Sequence, residues 1–351
     1  MNLPGIGYWG NRLAALRRWG DRPWLYPVSL LILGLISYLF ALPSLGYYWD
    51  DWEVVFLLNA RDAQLLSGYF AFDRPFAWPY QLTYRLFGLN PVAWHLMTLL
   101  VRWGGIVLFY LALSEIWPRR RSYLKWAGAL WFLYPGFLQQ SISAAYNRHL
   151  TAFLLFALSV YTMVLATRKT RTAGVYAIVS WVTALIQVFT IEYFVGLELI
   201  RPLILWQLMR PPGKDISRRL RQVFFRWLPY LLIFALYFWW RLWIFPTTIP
   251  IANYAGDFKL LQDFETSLLS GVLAVATRAV LDLLHSTLGV WTSFISQPDA
   301  WTLQGRITWF AAGIGLLLAA AFAWLHPLPV ESATADSDRP RSLLWLPRAS
   351  A

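Results

Sequence analysis

Two adjacent carboxylates, Asp50 and Asp51, stand inside the aromatic run Tyr47-Tyr48-Trp49-Asp50-Asp51-Trp52, directly after the first hydrophobic stretch of the chain. Acids held beside lipid are costly, so their presence asks for a function. A carboxylate in that position can take a proton from an attacking hydroxyl as a general base, and a neighbouring pair can offer oxygen ligands to a hard divalent cation. Two acids alone do not complete such a cage, and no His-Glu zinc signature accompanies them; the sequence requires no metal or other cofactor. An anionic leaving group would need cations around it. Arg74, Arg85, Arg148 and Arg241 lie on the same side of the membrane as the acids when the clustered basic segments are cytoplasmic. Arg102 lies deeper, about 12 Å into its hydrophobic run at 1.5 Å per residue. His95, seven residues from Arg102, shares its helical face and can line the same pocket, while His149 is a further polar candidate in a turn on that side.

Each of these residues also has a structural account. Asp50 precedes Glu53 by three residues, the pattern of a helix capping box, which explains one aspartate and leaves the second unexplained. Arg241 can snorkel to headgroups, and Arg102 can pair with Glu192 or Glu198. Glu198 and Arg201, three apart, read as a local ion pair near the cytoplasmic end of their helix, and Trp and Tyr at the ends of hydrophobic runs read as interfacial anchors.

The elements that must position these groups are membrane helices. Apolar residues make up 58% of the 351-residue chain and charged residues only 14%, with 22 Trp. Repeated apolar runs of about 20 residues match the thickness of a bilayer. The expected fold class is therefore an all-α polytopic membrane protein. With no Cys in the chain, disulfides, thiolate metal sites and cysteine nucleophiles are excluded.

A net charge of +12 invites a nucleic-acid reading, which the positions of the charges oppose. Basic residues gather in four segments: Arg12 to Arg22, Arg119 to Lys125, Arg168 to Arg171, and Arg210 to Arg226. They fall at every second connection, the positive-inside pattern, which anionic headgroups would reinforce. No nucleic-acid motif appears. The N-terminus is then cytoplasmic. The first span, 24–42, is too long and lacks the small-residue site of a cleaved signal.

An extracytoplasmic loop, 43–93, carries the two aspartates and an amphipathic surface helix in which Val55, Phe56, Ala63 and Leu66 recur at helical spacing, ended by Gly68. Further spans are expected at 94–117, 126–146, 150–167, 173–191, 193–209 and 227–245, with external turns at Asn147-Arg148-His149 and around Glu192. A second external loop covers 246–267. The stretch 268–295 is apolar but places Arg278, Asp282 and His285 on one face, so spanning, re-entering and surface-lying arrangements stay open. A final span occupies 305–325. The total is eight or nine spans in one membrane domain, 1–325, followed by a polar tail, 326–351, with the composition of a disordered segment.

The first loop resembles a known group. Aspartates just after span one, the segment Arg74-Pro75-Phe76, and Leu86-Phe87-Gly88-Leu89-Asn90-Pro91 followed by His95-Leu96 are similar to membrane glycosyltransferases of the GT-C fold, within them to the protein O-mannosyltransferase and aminoarabinose-transferase branch and its uncharacterised bacterial relatives. The likeness is close over about 47–110. It extends loosely through Thr190-Ile191-Glu192 to Tyr237-Phe238-Trp239-Trp240-Arg241. It implies a polyprenyl-phosphate-linked sugar as donor and an acceptor outside the cytoplasm, with Asp50 or Asp51 as base or, in some branches, as a metal ligand. Arg74 matches an arginine of the group, and Glu192 matches the glutamate of a Lys-Glu pair whose lysine position is Ile191 here. The resembling enzymes often continue with further spans where this sequence stops.

Two other classes stay open. Arg102 within a span suits a transporter or flippase for a lipid-linked sugar, although no inverted repeat or pair of broken helices favours it. The missing lysine suits a noncatalytic partner on a transferase-like scaffold. Neither the sugar nor the acceptor, whether protein, lipid or polysaccharide, is specified by these residues.

Overall fold

The computed structural model describes residues 22–39, 42–60, 78–134, 142–209, 215–244, 263–264, 267–292 and 303–328. All regular structure among them is helical. The helices, in chain order, are α1 (Leu25–Leu39), α2 (Asp51–Asn59), α3 (Trp78–Phe87), α4 (Pro91–Ile116), α5 (Arg121–Phe132), α6 (Ser143–Arg168), α7 (Ala173–Thr190), a 3-10 segment (Glu192–Leu199) continuing into α8 (Ile200–Leu208), α9 (Ile216–Trp239), α10 (Leu268–Leu284) and α11 (Leu303–Leu325). A π-helical turn extends α9 through Ile244 and another extends α10 through Gly289. Five helices are long and apolar enough to cross a membrane: α4, α6, α7, α9 with its extension and α10 with its extension. Segments within α1 and α11 form shorter apolar helices. This is the composition of an integral membrane protein.

α6 is the axis of the bundle, packed along its length against α4 and α7. Small residues allow the close approach: a Cβ on Gly105 of α4 would lie 2.5 Å from the Phe153 ring of α6. Polar side chains tie the helices where lipid offers no partner. Ser159 of α6 and Ser180 of α7 each donate to the other's carbonyl at 2.6 Å, and Tyr230 of α9 joins Ser180 at 2.6 Å. Inward from there, Phe156, Val160, Met163, Ala184, Ile204 and Tyr230 form one apolar core; Tyr26, Leu30, Leu99, Phe132 and Phe322 form a second, against α1 and α11.

The ends of the helices define two ends of the bundle. His326, just past α11, is buried beside the start of α1 and α5: its ring contacts Ser29 at 2.9 Å and Lys125 Nζ at 3.3 Å, and Trp126 donates to its carbonyl at 2.9 Å. Ser29 already donates to the Tyr26 carbonyl, so Nε2 carries the ring proton and Nδ1 accepts from Lys125. The first residue of the polar tail is thus docked on the bundle, and the rest of the tail, from 329, lies outside the described residues. At the opposite end, the Tyr134 hydroxyl, just past α5, donates to the Ser286 carbonyl of the α10 extension at 2.7 Å.

The turn expected at Asn147-Arg148-His149 is instead helical, because α6 begins at Ser143. Three polar residues interrupt the hydrophobic run there, but Ser143-Ala144-Ala145 supports a helix start, and a buried carboxylate receives its first N–H groups.

Candidate functional site

The described parts of the first loop fold as a lid of short helices on the end of the bundle where α4 and α6 begin. Val54, Leu57 and Leu58 of α2 pack with Tyr80 of α3, Trp94 of α4 and Ala144 of α6. The motif Leu86-Phe87-Gly88-Leu89-Asn90-Pro91 forms the corner between α3 and α4. Gly88, at φ +58, ends α3 in the left-handed conformation, Asn90 accepts from the Ala93 N–H at 3.3 Å, and Pro91 opens α4. The Trp94 indole closes the corner by donating to the Gly88 carbonyl at 2.9 Å. Helix stop and start signals account for much of this motif.

The amphipathic stripe of α2 differs from the expected one. Its buried face is Asp51, Val54, Val55, Leu57 and Leu58, while Phe56 is 68% exposed. Trp49, Trp52 and Phe56, spaced three and four apart, form an outward aromatic row instead. The remaining expected positions, Ala63, Leu66 and Gly68, fall outside the described residues, as does Arg74.

The two aspartates separate. Asp50 occupies the N-cap position of α2 and is exposed; its backbone is already helical and its side chain makes no cap bond, contrary to the capping-box pattern. Asp51 is fully buried. One oxygen accepts from the Ala145 N–H at 2.8 Å and the other from the Tyr48 N–H at 3.2 Å. It caps α6 across the chain, holding the loop to the bundle; this is the structural duty that local spacing left unassigned to the second acid. Burial pushes its carboxyl above the usual range, opposed by these backbone N–H groups and by His95. Trp49 completes the turn at φ 49, a strained conformation for a bulky residue. Among the described residues no group of three or more His, Asp and Glu is placed to hold a metal ion.

His95 is buried, its Nε2 at 3.0 Å from the Gly46 carbonyl, so it fixes the loop's entry. Arg148 is buried 5.3 Å from the Tyr80 ring, whose hydroxyl donates to the Ala145 carbonyl. Beside it, Asn147 accepts from Thr83 at 3.5 Å. His149 lies between the rings of Tyr146 and Tyr193, each 4.7 Å away.

A second group stands at the same end. Glu192 lies 3.5 Å from Arg241, across the ends of the 3-10 segment and α9, and accepts from Tyr237 at 3.2 Å. The Trp78 indole of α3 donates to Thr190 at 3.1 Å and so pins the lid to the end of α7 next to Glu192. Arg102, by contrast, does not join the acids. It donates to Tyr38 at 3.2 Å and to the Phe132 carbonyl, closing the end of α5. Glu192 is instead paired with Arg241, and Glu198 pairs with Arg201 as expected, Nη2 to Oε1 at 2.8 Å, though buried in the core.

The structure thus gathers Asp51, His95, Arg148, His149, Glu192 and Arg241 at one end of the bundle and leaves Arg102 to a helix end. Local spacing did not reveal the Asp51 to Ala145 contact or the Trp78 to Thr190 contact, because both are long-range. Comparison with protein-family models, curated proteins and solved structures finds no match to this chain.

Proposed function

We propose that the chain is a membrane glycosyltransferase that takes a sugar from a polyprenyl-phosphate donor and passes it to an extracytoplasmic acceptor. The observation that carries this reading is the convergence of acids, imidazoles and arginines from five separate segments on one end of the bundle. Asp50, exposed beside the lid helix, is the base for the acceptor hydroxyl; Asp51 is a positioning residue. Arg241 is the cation for the donor phosphate and is held in readiness by Glu192; Arg148 is a further cation of that end, and Arg74 is added by the resemblance alone. No metal is needed for these roles.

In this reading α1, α4, α5, α6, α7, α8 with its 3-10 lead, α9 and α11 cross the membrane, eight spans with the N-terminus cytoplasmic. α11 ends beside the start of α1, and α10 ends beside Tyr134 at the opposite face. An even number of crossings, none or two, then separates the end of α9 from the end of α10, and the reading takes none, with α10 along the outer surface.

One observation favours a noncatalytic partner: both oxygens of Asp51 and the guanidinium of Arg241 already have protein partners. Purified protein in nanodiscs, given a panel of polyprenyl-phosphate sugars and followed by mass spectrometry for loss of the sugar, separates the two. Transfer by the wild type that falls about 100-fold or more in Asp50→Asn supports the enzyme. Lipid binding without transfer supports the partner.

A further inference from the structure

The end of the bundle opposite Asp51 holds a hollow that the transfer chemistry does not use. α8 leaves the bundle at Met209 and α9 enters after Asp215; between them lies a cavity of about 640 Å³ lined by Met209, Arg221, Gln222, Phe225 and Arg226. Two of the described charges beside it, Asp215 and Arg219, are already committed. Asp215 accepts from the Arg218 N–H at 3.0 Å and from Ser217 at 2.9 Å, capping α9. Arg219 lies 3.8 Å over the Trp206 ring and donates to the Trp206 carbonyl, fastening the last turn of α8. Arg221 and Arg226 face the hollow, and among the described residues neither forms an ion pair with a carboxylate.

Depth selects the ligand. α9 with its extension has 29 residues. At 1.5 Å per residue it is about 43 Å long, the thickness of a bilayer including both headgroup zones. Arg221 and Arg226 stand about 7 Å and 15 Å from its first residue, so Arg221 lies at the boundary between headgroups and hydrocarbon, and Arg226 lies about 8 Å beyond it, from where its long side chain reaches back to the headgroup level. Exposed Phe224 and Phe225 continue the surface toward the apolar part of the span. Two guanidinium groups over an apolar wall suit a phosphate that carries an acyl chain. A headgroup with its own ammonium would bring a positive charge toward two arginines that, among the described residues, have no paired acid to offset it.

We propose that this hollow binds an anionic phospholipid, with Arg221 and Arg226 on the phosphate oxygens, Gln222 as a further donor, and the start of an acyl chain against Phe225 and Met209. The site is independent of the transfer reading, since it lies at the other end of the bundle. Native mass spectrometry of the whole protein in detergent, titrated with phosphatidylglycerol or phosphatidylcholine, tests it. The expected result is selective retention of phosphatidylglycerol by the wild type, weakened about tenfold to thirtyfold in Arg221→Gln/Arg226→Gln and little changed in Arg168→Gln/Arg171→Gln. Equal weakening in both double variants means diffuse surface charge and overturns the site. Inorganic phosphate binding as tightly as the lipid, and displacing it, overturns the lipid assignment. Should the Gln variant fail to fold, a photoactivatable phosphatidylglycerol on wild-type protein decides: cross-links confined to residues 206–230 support the site, and cross-links elsewhere alone reject it.

Discussion

Two ion pairs drawn from one short stretch show how position decides what a charge does. Glu198 and Arg201 sit in the core, with Arg201 4.4 Å from the Tyr230 ring and 5.3 Å from that of Phe156. Glu192 and Arg241 sit six residues earlier in the chain and at the end of α9, with side chains 41% and 33% exposed. The first pair has no way to exchange partners without leaving a bare charge in the membrane core. The second can release its arginine to another anion at small cost, because water and headgroups are at hand. The chemistry is the same in both, and only the second is open to an anion from outside the chain.

The largest expected effect comes from breaking the buried pair. Glu198→Gln should destabilise the protein by about 3–5 kcal/mol, read as a fall in unfolding midpoint in detergent, because Arg201 keeps its charge and loses its counter-ion. Replacing both residues with apolar ones of similar size, Glu198→Leu with Arg201→Met, should recover most of that loss. A double variant as unstable as the single one would show that the pair contributes more than mutual neutralisation.

His326 extends the comparison to the other buried polar junction. Desolvation, with Lys125 adding to it, lowers its pKa from 6.5 to about 4. The unfolded chain therefore binds the proton first as pH falls, so the stability tied to this group is complete above pH about 6.5 and is lost progressively as pH falls through about 4. Wild-type unfolding midpoints should drop between pH 7 and pH 4.5 more steeply than those of His326→Gln, and parallel slopes would remove the ring from the account.

Much of the bundle was legible because membrane spans announce themselves by length and hydropathy, and because Gly88 and Asn90-Pro91 carry their own stop and start signals. The start of α6 is hidden from local sequence because its first turns hold Asn147, Arg148 and His149, and the residue that stabilises that start, Asp51, is 94 positions away. The aspartates show the same limit. Adjacent letters suggested a joint task, yet one side chain is buried under the lid and the other is exposed. Arg102 had an anomaly visible in the sequence, its depth, but its partner is a helix-end carbonyl of α5, which no charge pattern encodes.

Asp51 itself falls between the two ion pairs in expected effect. Asp51→Asn keeps the size but places an amide NH2 where only acceptors are wanted, opposite backbone N–H groups. A loss of about 1–3 kcal/mol is expected, the range for leaving buried donors unsatisfied. Hydrogen exchange should locate it, with faster exchange at Ala144 and Ala145 and in α2, and unchanged protection in α7. Uniform loss of protection across the bundle would mean that the lid is not a separable unit.

The smallest stability effect belongs to the exposed pair, and there the comparison is sharpest. Arg241→Gln should cost no more than about 1 kcal/mol, because a surface pair of this exposure contributes little and Glu192 keeps the Tyr237 hydroxyl as a donor. If Arg241 serves a donor phosphate, the same change should nevertheless cut transfer by about 10²-fold or more, far beyond what a marginal change in folding can produce. Arg241→Lys should restore part of the rate by returning the charge without the forked geometry, while Glu192→Gln frees the arginine and should change donor affinity more than stability. An Arg241→Gln protein that unfolds like a Glu198→Gln protein would place both pairs in the same structural class and leave the end of α9 without a substrate role.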